Sequence, residues 1–397
     1  MRAQCCVVGG GPAGMMAGLL LARHGVEVIV LEKHADFLRD FRGDTVHPST
    51  LELIAELGWI EEFLNLPHTK MPQVSVNMGG RDVTFADFSR LKVRCPYIAF
   101  MPQWDVLDFL AGKATAYPSF RLLRRTRATE LLTDQGRVTG VLADTEDGPV
   151  EVRADLVIGA DGRHSTVRAR AGLIPVSSSP PMDVLWFHLP RRPQDRVPFF
   201  QGGKGALISI DRGDYWQMAY AIPADAFEEL KAAGLPAFQE RVAHLAPALR
   251  DRVEHLQDWE AVHHLSVRVD RLTRWHRPGL LCIGDAAHAM SPAGGVGINL
   301  AVQDAVATAN LLGPLLGRGG EPQDADLARV QARRERAARI TQAFQLGILR
   351  DLYPKDLGDD TTQHAPPIFT AFRTLPPLRH VLGRFIGMGV RPEHIAT

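Results

Sequence analysis

The chain has 397 residues, enough for one large domain or two ordinary domains with real hydrophobic cores. Apolar residues make up 45% of it and charged residues 23%, which is typical of a soluble globular enzyme. Lysine plus arginine equals aspartate plus glutamate, at 45 each, so no global field favours a nucleic-acid partner or an anionic membrane.

The four cysteines show neither metal-ligand nor disulfide spacing, and we interpret them as buried core residues. A strand begins within a few residues of Met1, which leaves no room for a signal peptide. No apolar run is long enough to span a bilayer. We therefore expect a cytoplasmic protein, monomeric or homodimeric, with no metal site and no transmembrane segment.

The amino-terminal segment carries a dinucleotide-binding fingerprint. An apolar strand runs into Gly-x-Gly-x-x-Gly at residues 9–14, a helix follows, and a second strand ends in Glu32. Gly9 permits a tight turn, Gly11 lets the backbone approach a pyrophosphate, and Gly14 allows the helix to pack closely on the strand. The helix N-terminus favours phosphates, and an acidic residue about twenty positions on suits the adenosine ribose. This favours FAD or NAD over NADP here.

Two features follow the second strand. Arg42 lies in an irregular, charged loop, where a cation either approaches phosphates or remains a solvated surface residue. Ser49-Thr50-Leu51-Glu52 fits a capping box, which predicts a helix that runs to about Leu57 and stops at Gly58.

The middle of the chain reads mainly as strands. Residues 73–97 predict a hairpin or two short strands around Gly79-Gly80, and residues 103–110 predict a helix. An apolar strand then ends in Asp161-Gly162 ahead of a polar helix start. This arrangement suits either a ligand-binding loop at the carboxyl edge of a sheet or a plain Asp-Gly turn.

Residues 177–181 form the clearest linker, and a sheet-plus-helix block follows. Its strands are rich in aromatic residues, which either line an apolar pocket or fill a core. Residues 211–214 predict a hairpin turn, and Asp225 with Glu228 fits the start of a helix.

A second glycine-rich motif follows near residue 280. The buried strand 280–285 ends in Asp285, and a loop with three glycines in four residues leads into a helix from about Ile298. This predicts another helix N-terminus aimed at an electron-rich ligand, with space for a flat ring against the backbone. Residues 326–345 predict a strong helix, and residues 375–395 are mildly amphipathic, which favours packing over membrane contact.

Three motifs in this order resemble the single-component FAD-dependent aromatic hydroxylases: the glycine fingerprint, Asp161-Gly162, and Gly284-Asp285 with its glycine loop. This is the para-hydroxybenzoate hydroxylase family, also called group A flavoprotein monooxygenases. The resemblance covers nearly the whole chain. It implies an α/β fold with a Rossmann-like, glutathione-reductase-like FAD-binding domain, an inserted sheet-plus-helix substrate domain and a C-terminal helical segment.

The implied domains are discontinuous along the chain. The FAD-binding domain would comprise residues 1–72, 98–176 and 268–345, the substrate-binding domain residues 73–97 and 177–267, and the C-terminal helical segment residues 346–397.

The resemblance also implies individual roles. Asp285 would bind the ribitol of FAD, Arg42 would lie near the pyrophosphate, and Gln103 beside the flavin. Asp161 looks like the motif linked to both FAD and NAD(P)H, and the loop from Pro292 would flank the isoalloxazine ring. The full set of implied cofactor contacts is Gly9, Gly11, Pro12, Ala13, Gly14, Glu32, Lys33, Arg42, Gln103, Asp161, Asp285, Pro292, Gly294, Gly295, Val296, Gly297, Ile298 and Asn299.

The implied activity is a monooxygenation. NAD(P)H, a transient co-substrate, would reduce the flavin, O2 would add to give a C4a-hydroperoxide, and one oxygen would pass to an electron-rich aromatic small molecule. Arg42 and Pro292 are implied parts of the catalytic site. Ionising a phenolic substrate calls for a base, for which His47 and Tyr220 are among the candidates, none fixed by a motif.

Other functions fit less well. A flavin-dependent halogenase is disfavoured because residues 218–223 lack both tryptophans of the Trp-x-Trp-x-Ile-Pro motif. An FAD-dependent reductase or dehydrogenase, for example of the isoprenoid type, stays open as the main alternative. A non-catalytic flavin-binding or redox-sensing protein is the third.

Overall fold

A computed structural model describes residues 1–38, 45–78, 81–178, 182–203, 205–352, 375 and 377–396. These residues form a mixed α/β fold with four sheets and ten α-helices. Arg42 and the predicted turn at Gly79-Gly80 lie outside the described residues. Among the described helices, none combines the length and the apolar character needed to cross a bilayer.

The helices include short and long elements. The α-helices are α1 Pro12–Arg23, α2 Pro48–Glu56, α3 Ile60–Phe63, α4 Gln103–Ala114, α5 Thr166–Arg170, α6 Phe227–Ala232, α7 Leu235–Leu245, α8 Gly297–Leu316, α9 Asp324–Leu352 and α10 Pro377–Met388. Short 3₁₀ helices are Pro247–His255, Trp259–Ala261, Gly284–Ala286 and Ala293–Gly295.

The strands fall into one eight-stranded, one seven-stranded and two three-stranded sheets. In chain order they are β1 Arg2–Val8, β2 Val28–Leu31, β3 Thr45–Val46, β4 Thr69–Met71, β5 Gln73–Met78, β6 Arg81–Asp87, β7 Ile98–Phe100, β8 Phe120–Leu123, β9 Arg127–Asp134, β10 Arg137–Thr145, β11 Gly148–Gly159, β12 Pro175–Ser177, β13 Met182–Pro190, β14 Phe200–Gly203, β15 Gly205–Asp211, β16 Tyr215–Pro223, β17 His263–Ser266, β18 Asp270–Leu272, β19 His276–Arg277, β20 Leu280–Cys282 and β21 His288–Ala289.

The eight-stranded sheet brings four strand ends to one edge. Its central strands run parallel in the order β8-β2-β1-β11-β20, with β19 antiparallel at the margin and β9 and β10 forming a meander with β11. Strands β2 and β20 and the carboxyl-terminal halves of β1 and β11 are apolar runs buried on both faces, as the strands of a parallel sheet usually are. Because parallel strands end at the same edge, the glycine turn after β1 and the acidic residues after β2, β11 and β20 meet there.

The seven-stranded sheet, in the order β17-β13-β16-β15-β14-β5-β6, has two different apolar faces. Along β13, Leu185 and Phe187 pack against the layer formed by α6, α7 and the first 3₁₀ helix. Val184 and Trp186 alternate with them and face a cavity. The hairpin predicted within residues 73–97 is confirmed by the antiparallel pair β5–β6, and the hairpin predicted around residues 211–214 by the pair β15–β16.

Two predicted helix starts are wrong. Helix α2 begins at Pro48 with His47 as its N-cap, and the Ser49 hydroxyl donates to Asn299 Oδ1 at 2.6 Å instead of capping the helix. Helix α6 begins at Phe227 without a side-chain cap, since Asp225 has a φ of 64° outside it. In the first case the Ser49 side chain hydrogen-bonds to a buried residue that is distant in sequence, Asn299, and not to the backbone amides of its own helix.

The carboxyl-terminal helices close the fold. Helix α9, predicted over residues 326–345, extends from Asp324 to Leu352, and the domain boundary at residue 346 stays a prediction. Helix α10 packs on β6; the prediction for residues 375–395 favoured packing but named no partner. The contact is tight, because a Cβ added at Gly383 would lie 2.2 Å from the carbonyl oxygen of Asp87.

A buried charged cluster, defined here as Asp304, His288, Arg334, Glu393 and Arg333, ties these elements together. Asp304 accepts hydrogen bonds from His288 Nε2 at 2.6 Å and Arg334 Nε at 3.0 Å. Arg334 also donates to Glu393 at 3.3 Å, and Arg333 pairs with the same carboxylate at 2.8 Å. The cluster therefore joins α8, α9 and the tail after α10.

A second buried pair, between Arg168 of α5 and Asp270 of β18, has two hydrogen bonds of 3.1 Å. We predict that Arg168→Gln lowers the free energy of unfolding by about 3–5 kcal/mol, because it leaves the Asp270 charge buried without its partner. Arg170→Gln on the same helix is the matched control, since the Arg170–Glu130 pair is half exposed. It should cost less than about 1 kcal/mol. Equal losses of unfolding free energy in the two variants, measured by urea unfolding, would contradict the stabilising role of the buried Arg168–Asp270 pair.

Candidate active site

One cavity of about 1240 Å³ runs from the carboxyl edge of the eight-stranded sheet to the inner face of the seven-stranded sheet. Pockets for a single small ligand are commonly about 300–1,000 Å³. The volume therefore leaves room for more than one ligand. The two halves differ in chemistry, and the loop 292–299 lies between them.

The first half, called here the nucleotide half, is built by the glycine fingerprint. Gly9, Gly11 and the first residues of α1, Pro12 and Ala13, line it. Glu32, at the end of β2, also lines it and accepts hydrogen bonds from the Gly10 amide at 3.0 Å and the His34 amide at 2.9 Å. The edge thus offers helix amides beside a fixed carboxylate, the combination that suits a pyrophosphate and a ribose.

The glycines of the fingerprint differ in what surrounds them. Gly9 has a φ of 107°, and a Cβ there would lie 2.4 Å from the Ala160 carbonyl oxygen. A Cβ at Gly14 would lie 1.8 Å from the Gly9 carbonyl oxygen, so the close contact between α1 and the turn requires glycine at this position. A Cβ at Gly11 would meet no protein atom within 4 Å. The space beside Gly11 is therefore open, and the binding of a pyrophosphate there stays a prediction.

Asp161 and Asp285 complete the nucleotide half. Asp161 accepts hydrogen bonds from the Ser165 hydroxyl at 2.5 Å and the Val167 amide at 3.1 Å, and burial raises its pKa. It therefore fixes the start of α5 as well as lining the cavity. Asp285 lies 3.6 Å from Arg163 and faces the cavity from the turn after β20. Sequence reasoning missed Arg163.

The glycine loop is held from two sides. Thr45 Oγ1 donates to the Gly295 carbonyl at 2.9 Å, and a Cβ at Gly295 would lie 2.2 Å from that oxygen of Thr45. Gln345 of α9 donates to the carbonyls of Ser291 and Ala293 at 2.9 and 2.7 Å. The loop thus presents a fixed backbone surface that leads into the N-terminus of α8.

Asn299 lies in the first turn of α8 and is buried. Its side-chain oxygen accepts hydrogen bonds from Ser49 at 2.6 Å and Thr50 at 2.7 Å. The amide therefore joins α8 to α2, a role that the spacing of the motif did not reveal.

The predicted cofactor contacts are distributed as follows. Of the predicted cofactor contacts that the structure describes, all except Gly14 line the cavity. Besides those already placed there, they include Lys33, Gln103, Pro292, Gly294, Val296, Gly297 and Ile298. Their contact with a cofactor stays a prediction, and Arg42 lies outside the described residues.

Neither predicted base lines the cavity. His47 is fully buried under α10 and shares a 2.9 Å hydrogen bond with the Ile386 carbonyl. Tyr220 is 1% exposed and packs against Phe238 of α7, on the other face of its sheet. Strand alternation explains the second error, because the neighbouring Ala219 faces the cavity. We correct both assignments: neither side chain is placed to take a proton from a ligand there.

The second half, called here the apolar compartment, is lined by β5, β6, β7 and β13–β16, and by α9 and α10. Phe344 of α9 and Phe385 of α10 are in edge-to-face contact with ring centroids 4.6 Å apart. No local sequence pattern predicts this contact, because the two residues are 41 positions apart. Across the part of the chain that the structure describes, no cluster of His, Cys, Asp or Glu is arranged to hold a metal ion.

Residues 2–345 match the family model described as FAD binding domain. The chain is 35% identical over 342 residues to 6-methylpretetramide 4-monooxygenase of Streptomyces rimosus, covering 84% of this chain and 82% of that protein. The chain belongs to the FAD-dependent flavoprotein monooxygenase family. NAD(P)H as reductant is typical of this family, and the monooxygenase relatives do not favour the reductase alternative.

Two further comparisons agree. The chain is 31% identical over 317 residues to rifampicin monooxygenase of Streptomyces venezuelae. The match covers 75% of this chain but 61% of that longer protein. The structure of p-nitrophenol 4-monooxygenase from Pseudomonas putida DLL-E4 matches with a TM-score of 0.81 at 21% identity, over 98% of this chain and 99% of that one. The second match supports the mixed α/β fold.

We predict opposite outcomes for two alanine substitutions in the fingerprint. Gly11→Ala should fold normally but bind FAD more weakly, because its methyl group enters the nucleotide half without touching protein. Gly14→Ala should destabilise the apoprotein, because its methyl group collides with the Gly9 carbonyl. Thermal unfolding of apoprotein and FAD titration by flavin fluorescence separate these effects. Unchanged FAD affinity in Gly11→Ala would refute the placement of the pyrophosphate.

A pH dependence follows from His47. Burial lowers the pKa of His47 to about 4 from its ordinary 6.5. Between these values the unfolded chain binds a proton that the folded chain does not, so stability falls as the pH drops, by up to about 1.4 kcal/mol per pH unit from this group. His47→Gln should remove this contribution, whereas exposed His255→Gln should keep the wild-type slope. Urea unfolding from pH 4 to 7 measures it; identical slopes for all three proteins would argue against the prediction.

Proposed function

We propose that this monooxygenase hydroxylates a large phenolic or similarly electron-rich aromatic compound, using NAD(P)H and O2. The observation that carries the proposal is the single cavity that joins a dinucleotide-binding edge to an apolar compartment across the glycine loop. The relatives named for 6-methylpretetramide and rifampicin support a large aromatic substrate. The cavity volume supports it as well.

The proposed division of labour follows the two halves. FAD, when bound, supplies the redox chemistry that takes electrons from NAD(P)H and delivers one atom of O2 to the substrate. Gly11 and the start of α1 would hold its pyrophosphate, Glu32 the adenosine ribose and Asp285 the ribitol. The loop from Pro292 would support the flavin ring. The N-terminus of α8 would stabilise negative charge beside that ring.

The proposed domain arrangement places FAD on the eight-stranded sheet and the substrate on the seven-stranded sheet. It is supported by strand pairing, since β5 and β6 join β13–β17 although about one hundred residues separate them along the chain. Both monomeric and homodimeric forms are compatible with this arrangement. We further propose that NAD(P)H binds transiently in a groove, because the chain has one dinucleotide fingerprint.

The proposed oxygenation has a direct test. The FAD-loaded protein is mixed with NADH or NADPH and a panel of phenols in isotopically labelled O2. We expect at least one phenol to accelerate NAD(P)H oxidation and to gain one labelled oxygen atom by mass spectrometry. NAD(P)H oxidation that reduces a substrate, without oxygen incorporation, would instead support a reductase. Catalase distinguishes true hydroxylation from uncoupled formation of peroxide.

A further inference from the structure

We infer that the Phe344–Phe385 pair is the end wall of the apolar compartment and sets the largest ring system that the enzyme accepts. This inference rests on the proposed function, in that the apolar compartment holds the substrate. The region matched by the family model ends at residue 345, so Phe385 and the rest of α10 lie outside it.

The floor of the compartment is one row of side chains across the sheet. Trp186 pairs with Ala219, Ala219 with Ile208, Ile208 with Phe200, and Phe200 with Val76. Directly paired residues share a face, and all five line the cavity. A flat ring system can lie along this apolar row, so its length is limited by what stands at the ends.

Helix α10 contributes the wall with one face. Leu382, Phe385, Ile386 and Gly389, at intervals of three and four residues, line the cavity. Phe385 packs in the same apolar cluster as Val296 of the glycine loop. The wall therefore borders the part of the cavity where the loop meets the substrate.

A neighbouring face of α10 fixes the position of the wall. Gly383 lies against the Asp87 backbone, and a Cβ at Gly387 would lie 3.1 Å from Phe88. Arg379 and His380 lie 3.7 and 3.8 Å from the Asp87 carboxylate. Because the two glycines and the contacts to Asp87 hold the helix close to β6, Phe385 has little freedom to move away from a large ligand.

Helix α9 supplies the other ring. Thr341, Phe344 and Gln345 line the cavity from successive positions of one helix face. Gln345 is the residue that binds the backbone of the loop at 291–293. Phe344 is thus positioned by the same helix turn that fixes the loop, and its ring contacts Phe385 at a centroid distance of 4.6 Å.

The test compares the binding of 2-naphthol, 2-hydroxyanthracene and anhydrotetracycline to the FAD-loaded enzyme, followed by fluorescence quenching. Phe385→Ala and Phe344→Ala should each raise the affinity for the largest phenol relative to 2-naphthol by about tenfold or more, since even one methylene in a pocket changes selectivity about 10–200-fold. Phe385→Trp should shift this ratio the opposite way. Val381→Ala is the matched control, because Val381 is on α10 but 66% exposed.

Ratios within about twofold of wild type in both alanine variants would overturn the inference, provided that their circular dichroism and FAD content are normal. If Phe385→Ala fails to fold, Phe385→Leu and Phe344→Ala decide the same question. Oxygen incorporation is measured separately. A shifted affinity ratio without oxygen incorporation would contradict the proposed function and support the inferred wall. Oxygen incorporation with an unshifted affinity ratio would support the proposed function and contradict the wall. Failure of every phenol to bind any variant would count against both.

Discussion

Asp304 is the residue on which the geometry of the site depends most. It is buried with Arg334 and His288. The carboxylate oxygen that contacts His288 also accepts a hydrogen bond from the backbone amide of Gly284, one residue before Asp285. Burial alone would raise its pKa, but the facing His288 and Arg334 more than offset this and hold the pKa below its usual range. Since a buried charge without its partner is strongly destabilising, α8, α9 and the turn after β20 hold one relative arrangement. The cluster thus fixes the position of the turn that carries Asp285 relative to α8 and α9, which also line the cavity.

A second constraint is the irregular backbone between β18 and α8, which contains little regular strand. Buried amides and carbonyls of such a segment need partners from elsewhere. Three glutamines of α9 supply them: Gln331 binds the backbone at residues 273 and 275, Gln342 at 270 and 289, and Gln345 at 291 and 293. In sequence α9 reads only as a polar, strongly helical segment. In the structure it supplies hydrogen bonds to the backbone of residues 270–293, and Gln345 alone of the three reaches the start of the loop that lies between the two halves of the cavity.

Much of the nucleotide half could be predicted from the sequence, because its chemistry is local. Glu32, Asp161 and Asp285 each follow an apolar strand, and parallel strands bring their ends to one edge. The apolar compartment could not be predicted in this way. Which face Tyr220 presents depends on the strand register, and the burial of His47 depends on α10, more than three hundred residues away. The Ser49 hydroxyl followed a tertiary acceptor, Asn299, which no local pattern contains. The errors therefore fall where long-range contacts outweigh local preference.

The two helices at the end of the compartment differ in what else they do. Helix α9 carries both Phe344 and the glutamine that holds the glycine loop, so a shift of its axis would be transmitted to the loop. Helix α10 contacts the loop mainly through apolar packing and is anchored to β6 by its glycines. Side-chain changes on α10 can therefore alter the shape of the compartment while the hydrogen bonds of the loop persist. The two rings of the pair therefore differ in mutational tolerance: a change at Phe385 leaves the hydrogen bonds of the loop untouched, whereas a change at Phe344 adjoins the glutamine that makes them.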